Sequence, residues 1–170
     1  GLGGLKWEDV QPAIVEAFSD LPEVEVFLYP PSGAPAAKEM PNRTERPKMT
    51  DGRAALILLM DRYLKGLLDP FVSLLEVHKL VYFLQESGKP LRLQFEAKQY
   101  GPYAKNLRQV LIKLDGHFIH GYGDGQDDPT KPLELKTGAV EEAEQFLCDD
   151  VETMHRMERV AELIDGFEDP

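Results

Sequence analysis

The feature that most constrains this chain is the stretch LLEVHKLVYFLQES, residues 74–87, which predicts a helix that is apolar on nearly all sides. A helix without a polar face has to be covered by other elements. We therefore expect residues from about 50 onward to pack around it. Its apolar side chains are Leu74, Val77, Leu80, Val81, Tyr82, Phe83 and Leu84.

Signals for further elements lie on both sides of this helix. A helical apolar stripe begins at Asp51 and stops before Pro70, and Ser73 with Glu76 predicts a capping box at the start of the helix that follows. Gly88 is placed to end that helix.

The second half of the chain alternates between strand and helix signals. We predict a short strand or extended arm at 91–98, a helix that Gly101-Pro102 begins and that runs to residue 114, and a β-hairpin at 117–136. Two last helices follow, and Asp150 is placed to cap the second.

The first 50 residues differ in composition from the rest. Residues 1–31 predict a glycine loop, a helix and a strand at 24–28, and residues 32–50 have the polar, proline-rich composition of a linker. The expected fold is mainly α, a compact helical domain at 51–170 with a small β-hairpin. A helix-strand remnant of an α/β domain precedes it.

Composition limits the class of protein. With 42% hydrophobic residues the chain can bury a core, and it contains no apolar run of the roughly 18 residues that a membrane span needs. The single Cys148 excludes an internal disulfide and favours a reducing compartment, so we predict a cytoplasmic protein without a membrane partner.

Charge is distributed unevenly along the chain. Residues 51–115 carry 10 Lys/Arg and 7 Asp/Glu, whereas residues 116–170 carry 4 and 15. Acids three or four residues apart on a helix share one face, and such a row can take the place of phosphates before a basic cleft. The alternative is an ordinary solvated face. The candidate partner-binding acids are Asp124, Asp127, Asp128, Glu141, Glu142, Glu144, Asp149, Asp150 and Glu152.

The first 31 residues resemble the C-terminal end of a macrodomain, the ADP-ribose-binding α/β fold. The matching segments are GLGGLKWEDVQPAIVEAF and VEVFLYP, and within that family they are most similar to the DNA ADP-ribosylglycohydrolase branch. The resemblance implies that Gly1, Gly3 and Gly4 line an ADP-ribose pocket in an intact parent domain. Most of that domain is absent here, so we expect no catalysis from this chain, no cofactor, and ADP-ribose or ADP-ribosylated DNA as ligands of the parent alone.

A second resemblance covers about residues 52–115. Two motifs occur in order, K-L-x-Y-F and F-E-A-x-x-Y-G-P, as in the Panacea (SocA-like) family of bacterial antitoxin domains; this sequence has Tyr103 where that family commonly has Val. We interpret the motif as scaffold, with Phe83, Phe95 and Tyr100 in the core and Lys79 paired with Glu96. The scaffold residues are Lys79, Tyr82, Phe83, Phe95, Tyr100, Gly101 and Pro102.

A macrodomain end followed by such a domain resembles the architecture of the DarG antitoxins. That resemblance implies that the helical domain binds and inhibits a DarT-like toxin, a DNA ADP-ribosyltransferase, by presenting acids that mimic single-stranded DNA. It implies no direct nucleic-acid binding by this chain.

Two other functions are less consistent with the sequence. A winged-helix DNA binder would insert helix 103–114, with Lys105, Arg108 and Lys113, and use hairpin 117–136 as its wing, but acids at the wing tip would face phosphate. His117 and His120 alternate along a strand without a third ligand at metal spacing, so we predict no metal site and no catalytic residue.

Overall fold

A computed structural model describes residues 6–29, 42, 44–67, 70–123 and 125–164. The chain divides into two compact units, residues 1–40 and residues 41–170. In the first unit, helix α1 (Trp7–Ala17) is the regular element that the described residues form, and none of its residues is buried. Gly1, Gly3 and Gly4 lie outside the described residues.

The prediction of a strand at 24–28 is wrong. These residues form no strand in the structure, although Val24, Val26 and Leu28 alternate with other side chains as the pattern required. A strand is held by hydrogen bonds to a neighbouring strand, and none of the described strands pairs with this segment.

The second unit is mainly α with a small antiparallel sheet, as predicted. Its helices in the described residues are α2 (Asp51–Leu67), α3 (Leu74–Glu86), α4 (Leu107–Leu114), α5 (Ala139–Leu147) and α6 (Val151–Ile164). None of the helices in the described part of the chain has the length and hydropathy that crossing a bilayer requires.

The longest run of buried residues lies in α2 rather than in α3. Residues 54–60 of α2 are all buried, seven in succession, and α2 contacts α3, α5 and α6. In α3, the side chains of Tyr82 and Phe83 are only half-buried and Lys79 is exposed. The apolar α3 is thus one wall of the core, and α2 lies at its centre.

The start and end of α3 agree with the sequence prediction. The Glu76 N–H donates to Ser73 Oγ at 3.3 Å, and the Ser73 N–H donates to Glu76 Oε2 at 2.6 Å, which completes the capping box. The helix ends at Glu86, and Gly88 follows with φ of 101°, a conformation in which other residues are strained.

The predicted hairpin at 117–136 is present, and it has a third strand. Strands β4 (Ile119–His120) and β5 (Pro132–Leu135) pair antiparallel, and β1 (Val72–Ser73) pairs antiparallel with the other edge of β5. A strand of two residues directly before α3 is too short to show an alternating pattern.

The helix predicted to begin at Gly101-Pro102 is a further error. Instead, β2 (Phe95–Lys98) turns back into β3 (Gly101–Ala104), and α4 begins only at Leu107. Gly101 has φ of 118°, which a residue with a side chain rarely adopts and which a helix excludes. Pro102 is tolerated in this strand because a two-stranded ribbon leaves it an outer edge.

The second half of the predicted linker contacts the helical unit. Asn42 Nδ2 donates to the Asp115 carbonyl at 3.0 Å, and Met49 packs against the core. Thr44 Oγ1 and His117 Nε2 lie 2.8 Å apart in a hydrogen bond. The domain boundaries themselves stay a prediction.

Candidate partner-binding surface

The acids of helix α5 lie on different sides of the helix. Its buried residues Ala139, Ala143 and Leu147 recur every four positions and fix one face against the core. Glu141 and Glu144, three residues apart, are exposed, whereas Glu142 is half-buried on the flank. The predicted row of acids therefore divides into an outward pair and one flanking residue.

The outward pair faces the C-terminal end of α2. The pKa of Lys65 is raised, first by its hydrogen bond to Asp61 at 2.6 Å and by the charge of Asp61, and further by the charges of Glu144 and Glu141. The charges of the two glutamates therefore act on Lys65 without direct contact. Neither glutamate forms a hydrogen bond or a direct ion pair with the described residues. Both carboxylates remain available to a partner.

Glu142, on the flank of α5, already forms an ion pair within the chain. Arg46 Nη2 donates to its Oε2 at 2.5 Å, and the Arg46 guanidinium lies 4.6 Å from the centre of the Phe118 ring. This contact crosses 96 positions in the sequence, so no local pattern predicts it.

Asp150 is a structural residue, as its predicted capping role requires. The Thr153 N–H donates to its Oδ1 at 2.9 Å, Thr153 Oγ1 donates to its Oδ2 at 2.5 Å, and Lys89 Nζ is 3.2 Å from that Oδ2. The Thr153 hydrogen bonds, followed by the Lys89 contact, lower the pKa of Asp150 to about 2. Lys89 is 7% exposed, and Asp51 lies 3.8 Å from its Nζ.

The two neighbours of Asp150 among the candidate acids are more accessible. Asp149 is exposed and has no hydrogen bond or direct ion pair with the described residues. Glu152, whose side chain is 74% exposed, pairs with Arg156 at 2.6 Å across one turn of α6. An exposed pair of this kind contributes about 0.3–0.5 kcal/mol, so a partner can displace it.

The described hairpin acids accept hydrogen bonds within the chain. Asp127 accepts hydrogen bonds from the Tyr103 hydroxyl at 2.8 Å and from the Tyr122 hydroxyl at 3.0 Å. Asp128 accepts from the Thr130 N–H at 2.9 Å and from its hydroxyl at 2.8 Å, and these two bonds lower the pKa of Asp128. Asp128 thus closes its own turn, whereas Asp127 contacts two tyrosines outside that turn, and Asp124 lies outside the described residues.

The Tyr103–Asp127 contact gives a testable pH dependence. Burial, followed by the hydrogen bond to Asp127, raises the pKa of Tyr103 to about 12. Its contribution to stability is therefore present below the unfolded pKa of about 10 and is lost as the pH rises towards 12. The ionisation of the tyrosines can be followed by the absorbance of tyrosinate. We expect Asp127→Asn to shift the last part of this curve to lower pH by about one unit, because the neighbouring negative charge is removed.

The matched control for this titration is Asp128→Asn, which removes a carboxylate from the same turn without touching a tyrosine. Its absorbance curve should coincide with that of the parent chain. Identical curves for all three proteins would contradict the assigned hydrogen bond.

The family-motif residues are only partly core. Phe83 and Phe95 pack against it, and Tyr82 lies edge-on to both rings, with ring centres at 5.7 and 5.1 Å. Tyr100 is 57% exposed at the tip of the β2–β3 hairpin, so its predicted burial is wrong. Glu96 pairs with Lys98 at 3.3 Å rather than with Lys79.

The recognition helix of the winged-helix alternative is shorter than predicted and starts only at Leu107. Lys105 precedes α4 instead of lying on it, and Arg108 Nε donates to the Gly125 carbonyl at 3.0 Å. Of the three basic residues that this alternative needed, Lys113 remains exposed on α4.

The sequence prediction omitted two acids of α6. Glu158 and Glu162 are exposed, four residues apart, on the side away from the buried Met157 and Val160. The helical period would have found them, because they fall between the apolar positions. We define the carboxylate face as the three predicted acids that are exposed and form no direct ion pair with the described residues: Glu141, Glu144 and Asp149.

The known proteins to which this chain is similar share one name. No family model matches the sequence. The chain is 41% identical over 170 residues to a DNA ADP-ribosyl glycohydrolase of Thermus aquaticus, a match that covers all of this chain and 46% of that protein. It is 36% identical over 182 residues to the DNA ADP-ribosyl glycohydrolase of Mycobacterium tuberculosis, covering 51% of that protein. The chain thus spans about half the length of the curated relatives it matches.

Proposed function

We propose that this chain neutralises a DarT-like DNA ADP-ribosyltransferase by placing the carboxylate face in the toxin's DNA-binding cleft. The observation that carries the proposal is the display of Glu141 and Glu144 from one side of a helix whose other side is fixed in the core. A rigid scaffold keeps these charges in place before binding, which reduces the entropy lost on association.

The electrostatics of the carboxylate face favour a basic partner. Neighbouring carboxylates repel one another, and Lys65 is the cation whose pKa reports their field. A cleft that binds DNA carries cations for phosphates, so carboxylates on a helix can take the same positions. Glu142 and Glu152 can add to the contact by exchanging their surface ion pairs with Arg46 and Arg156.

We also propose that the whole protein removes ADP-ribose from DNA through a part that this chain lacks. The names of the relatives support this activity, and so does the resemblance of residues 1–31 to the end of a macrodomain. Incubation of this chain alone with ADP-ribosylated DNA should release no ADP-ribose. Measurable release would overturn the non-catalytic assignment of the 170 residues.

The neutralisation proposal is tested by calorimetric titration of this chain into a purified DarT-like toxin at increasing salt. The Debye length falls from about 10 Å at 0.1 M to about 3 Å at 1 M, so the affinity should fall steeply over that range. The association rate should fall with it, because charge steers the encounter. An affinity that does not change with salt, or no complex at 0.1 M, would contradict the proposal.

A further inference from the structure

A groove on the helical unit carries the opposite charge to the carboxylate face. It has a volume of about 400 Å³ and lies between residues 44–48, the start of α2 and the end of α4. We call it the basic groove; its lining residues are Thr44, Glu45, Arg46, Pro47, Lys48, Arg53, Ile112 and Lys113. Four of these are cations and one is an acid, in a chain with a net charge of −11.

The two arginines of the groove are held in place. Arg53 is half-buried and its Nη1 donates to the Lys48 carbonyl. Arg46 is fixed between Glu142 and the face of the Phe118 ring. A guanidinium that is already oriented loses less conformational entropy when it binds a ligand.

The two lysines of the groove are accessible. Lys48 and Lys113 are exposed, and the ammonium group of neither forms a hydrogen bond or an ion pair with the described residues. Cations that converge without equal numbers of carboxylates repel one another, and an anion relieves that repulsion. Three of these cations lie within residues 46–53, and the fold brings the fourth, Lys113 at the end of α4, beside them.

We propose that the basic groove binds the backbone of single-stranded nucleic acid. Arginine forks match phosphate oxygens, and lysines add charge without a fixed geometry. Ile112, which is 41% exposed, and Pro47 supply apolar contacts beside the cations. A nucleotide carries both a phosphate and an apolar surface, whereas a purely acidic peptide leaves the apolar wall unused.

This inference changes the expectation that the chain binds no nucleic acid, and it does not depend on the toxin. The carboxylate face and the groove are different surfaces. Glu142, which pairs with Arg46, and Glu45 in the lining offset part of the positive charge, whereas acids more than about 10 Å away on the surface are largely screened at 0.1 M salt. Binding is nevertheless expected to be weak and to depend strongly on salt.

The experiment measures fluorescence anisotropy of a labelled single-stranded DNA of about 12 nucleotides, within the range that single-strand binding grooves cover. Three or four phosphate contacts predict a slope of about −2 to −3 when the logarithm of the affinity is plotted against that of the salt concentration. The double variant Lys48→Glu with Lys113→Glu should weaken DNA binding at least about tenfold. It should also make the salt slope shallower by about 1.4, because two phosphate contacts are lost.

The matched control is Lys79→Glu with Lys105→Glu, which changes the net charge equally at exposed positions outside the groove lining. It should retain most of the affinity, and thermal unfolding should show that both variants fold. The proposal is overturned by absence of binding at low salt, by equal losses in the two variants, or by polyglutamate of similar length binding the groove more tightly than the DNA.

Discussion

Glu141→Lys combined with Glu144→Lys is expected to weaken binding to a DarT-like toxin by at least about 100-fold, or roughly 3 kcal/mol. Each substitution replaces a carboxylate by an ammonium that would face the cations of the cleft. Both positions are exposed and lie away from the buried face of α5, so stability should change by less than about 0.5 kcal/mol. Surface plasmon resonance at low salt measures the loss, which should include a slower association rate.

The control for net charge is Glu86→Lys with Glu134→Lys. Both residues are exposed, one at the end of α3 and one in β5, and the reversal changes the net charge by the same amount. The toxin affinity of this control should stay within a few-fold of that of the parent chain. Equal losses in the two double variants would mean that total charge, and not the carboxylate face, determines binding.

Asp150→Ala is expected to give the largest loss of stability from a single polar substitution, about 3 kcal/mol. About 1 kcal/mol comes from the lost cap of α6, and most of the rest comes from Lys89, a buried ammonium that loses its nearer carboxylate. Asp51, at 3.8 Å, offsets only part of that loss. Urea-induced unfolding at neutral pH, where Asp150 is charged, measures the effect.

Two further variants separate the causes of this loss. Asp149→Ala changes the adjacent exposed acid and should cost less than about 0.5 kcal/mol. Lys89→Met placed in the Asp150→Ala background removes the buried charge that has lost its nearer carboxylate and should recover part of the lost stability. If Lys89→Met lowers the stability of that background further, the buried ammonium is not the source of the cost.

The sequence predicted the features that depend on neighbouring residues. The capping box of Ser73 and Glu76, the helix end at Gly88 and the Asp150 cap are each formed within a few residues, and each is present. Local hydrogen-bonding chemistry determines these positions, so a short window of sequence contains the information.

The errors have two origins. The segment around Gly101 pairs with the adjacent β2 across a two-residue turn, so a local hairpin prevailed over the Gly-Pro signal for a helix start. Tyr100 stands at the tip of that hairpin and is exposed for the same reason. The strand expected at 24–28 fails for the converse reason, since no described strand pairs with it.

The sequence predicted the candidate surface as a set of acids. The structure reduced that set, because it shows which of the acids already have partners within the chain. Sequence counts of charge located the acidic third of the chain, but they could not show that Asp127 holds two tyrosines or that Glu142 holds Arg46. The basic groove could not be predicted for the same reason, because Lys113 joins the cations of residues 46–53 only in the folded chain.

The central claim is that the carboxylate face occupies the place of DNA on the toxin, and competition for that place tests it most directly. A labelled single-stranded oligonucleotide bound to a catalytically inactive DarT-like toxin would be titrated with this chain at low salt. The chain should displace the oligonucleotide completely, and the variant with Lys at positions 141 and 144 should not displace it at the same concentration. A ternary complex, in which toxin, DNA and this chain are bound together, would contradict the claim.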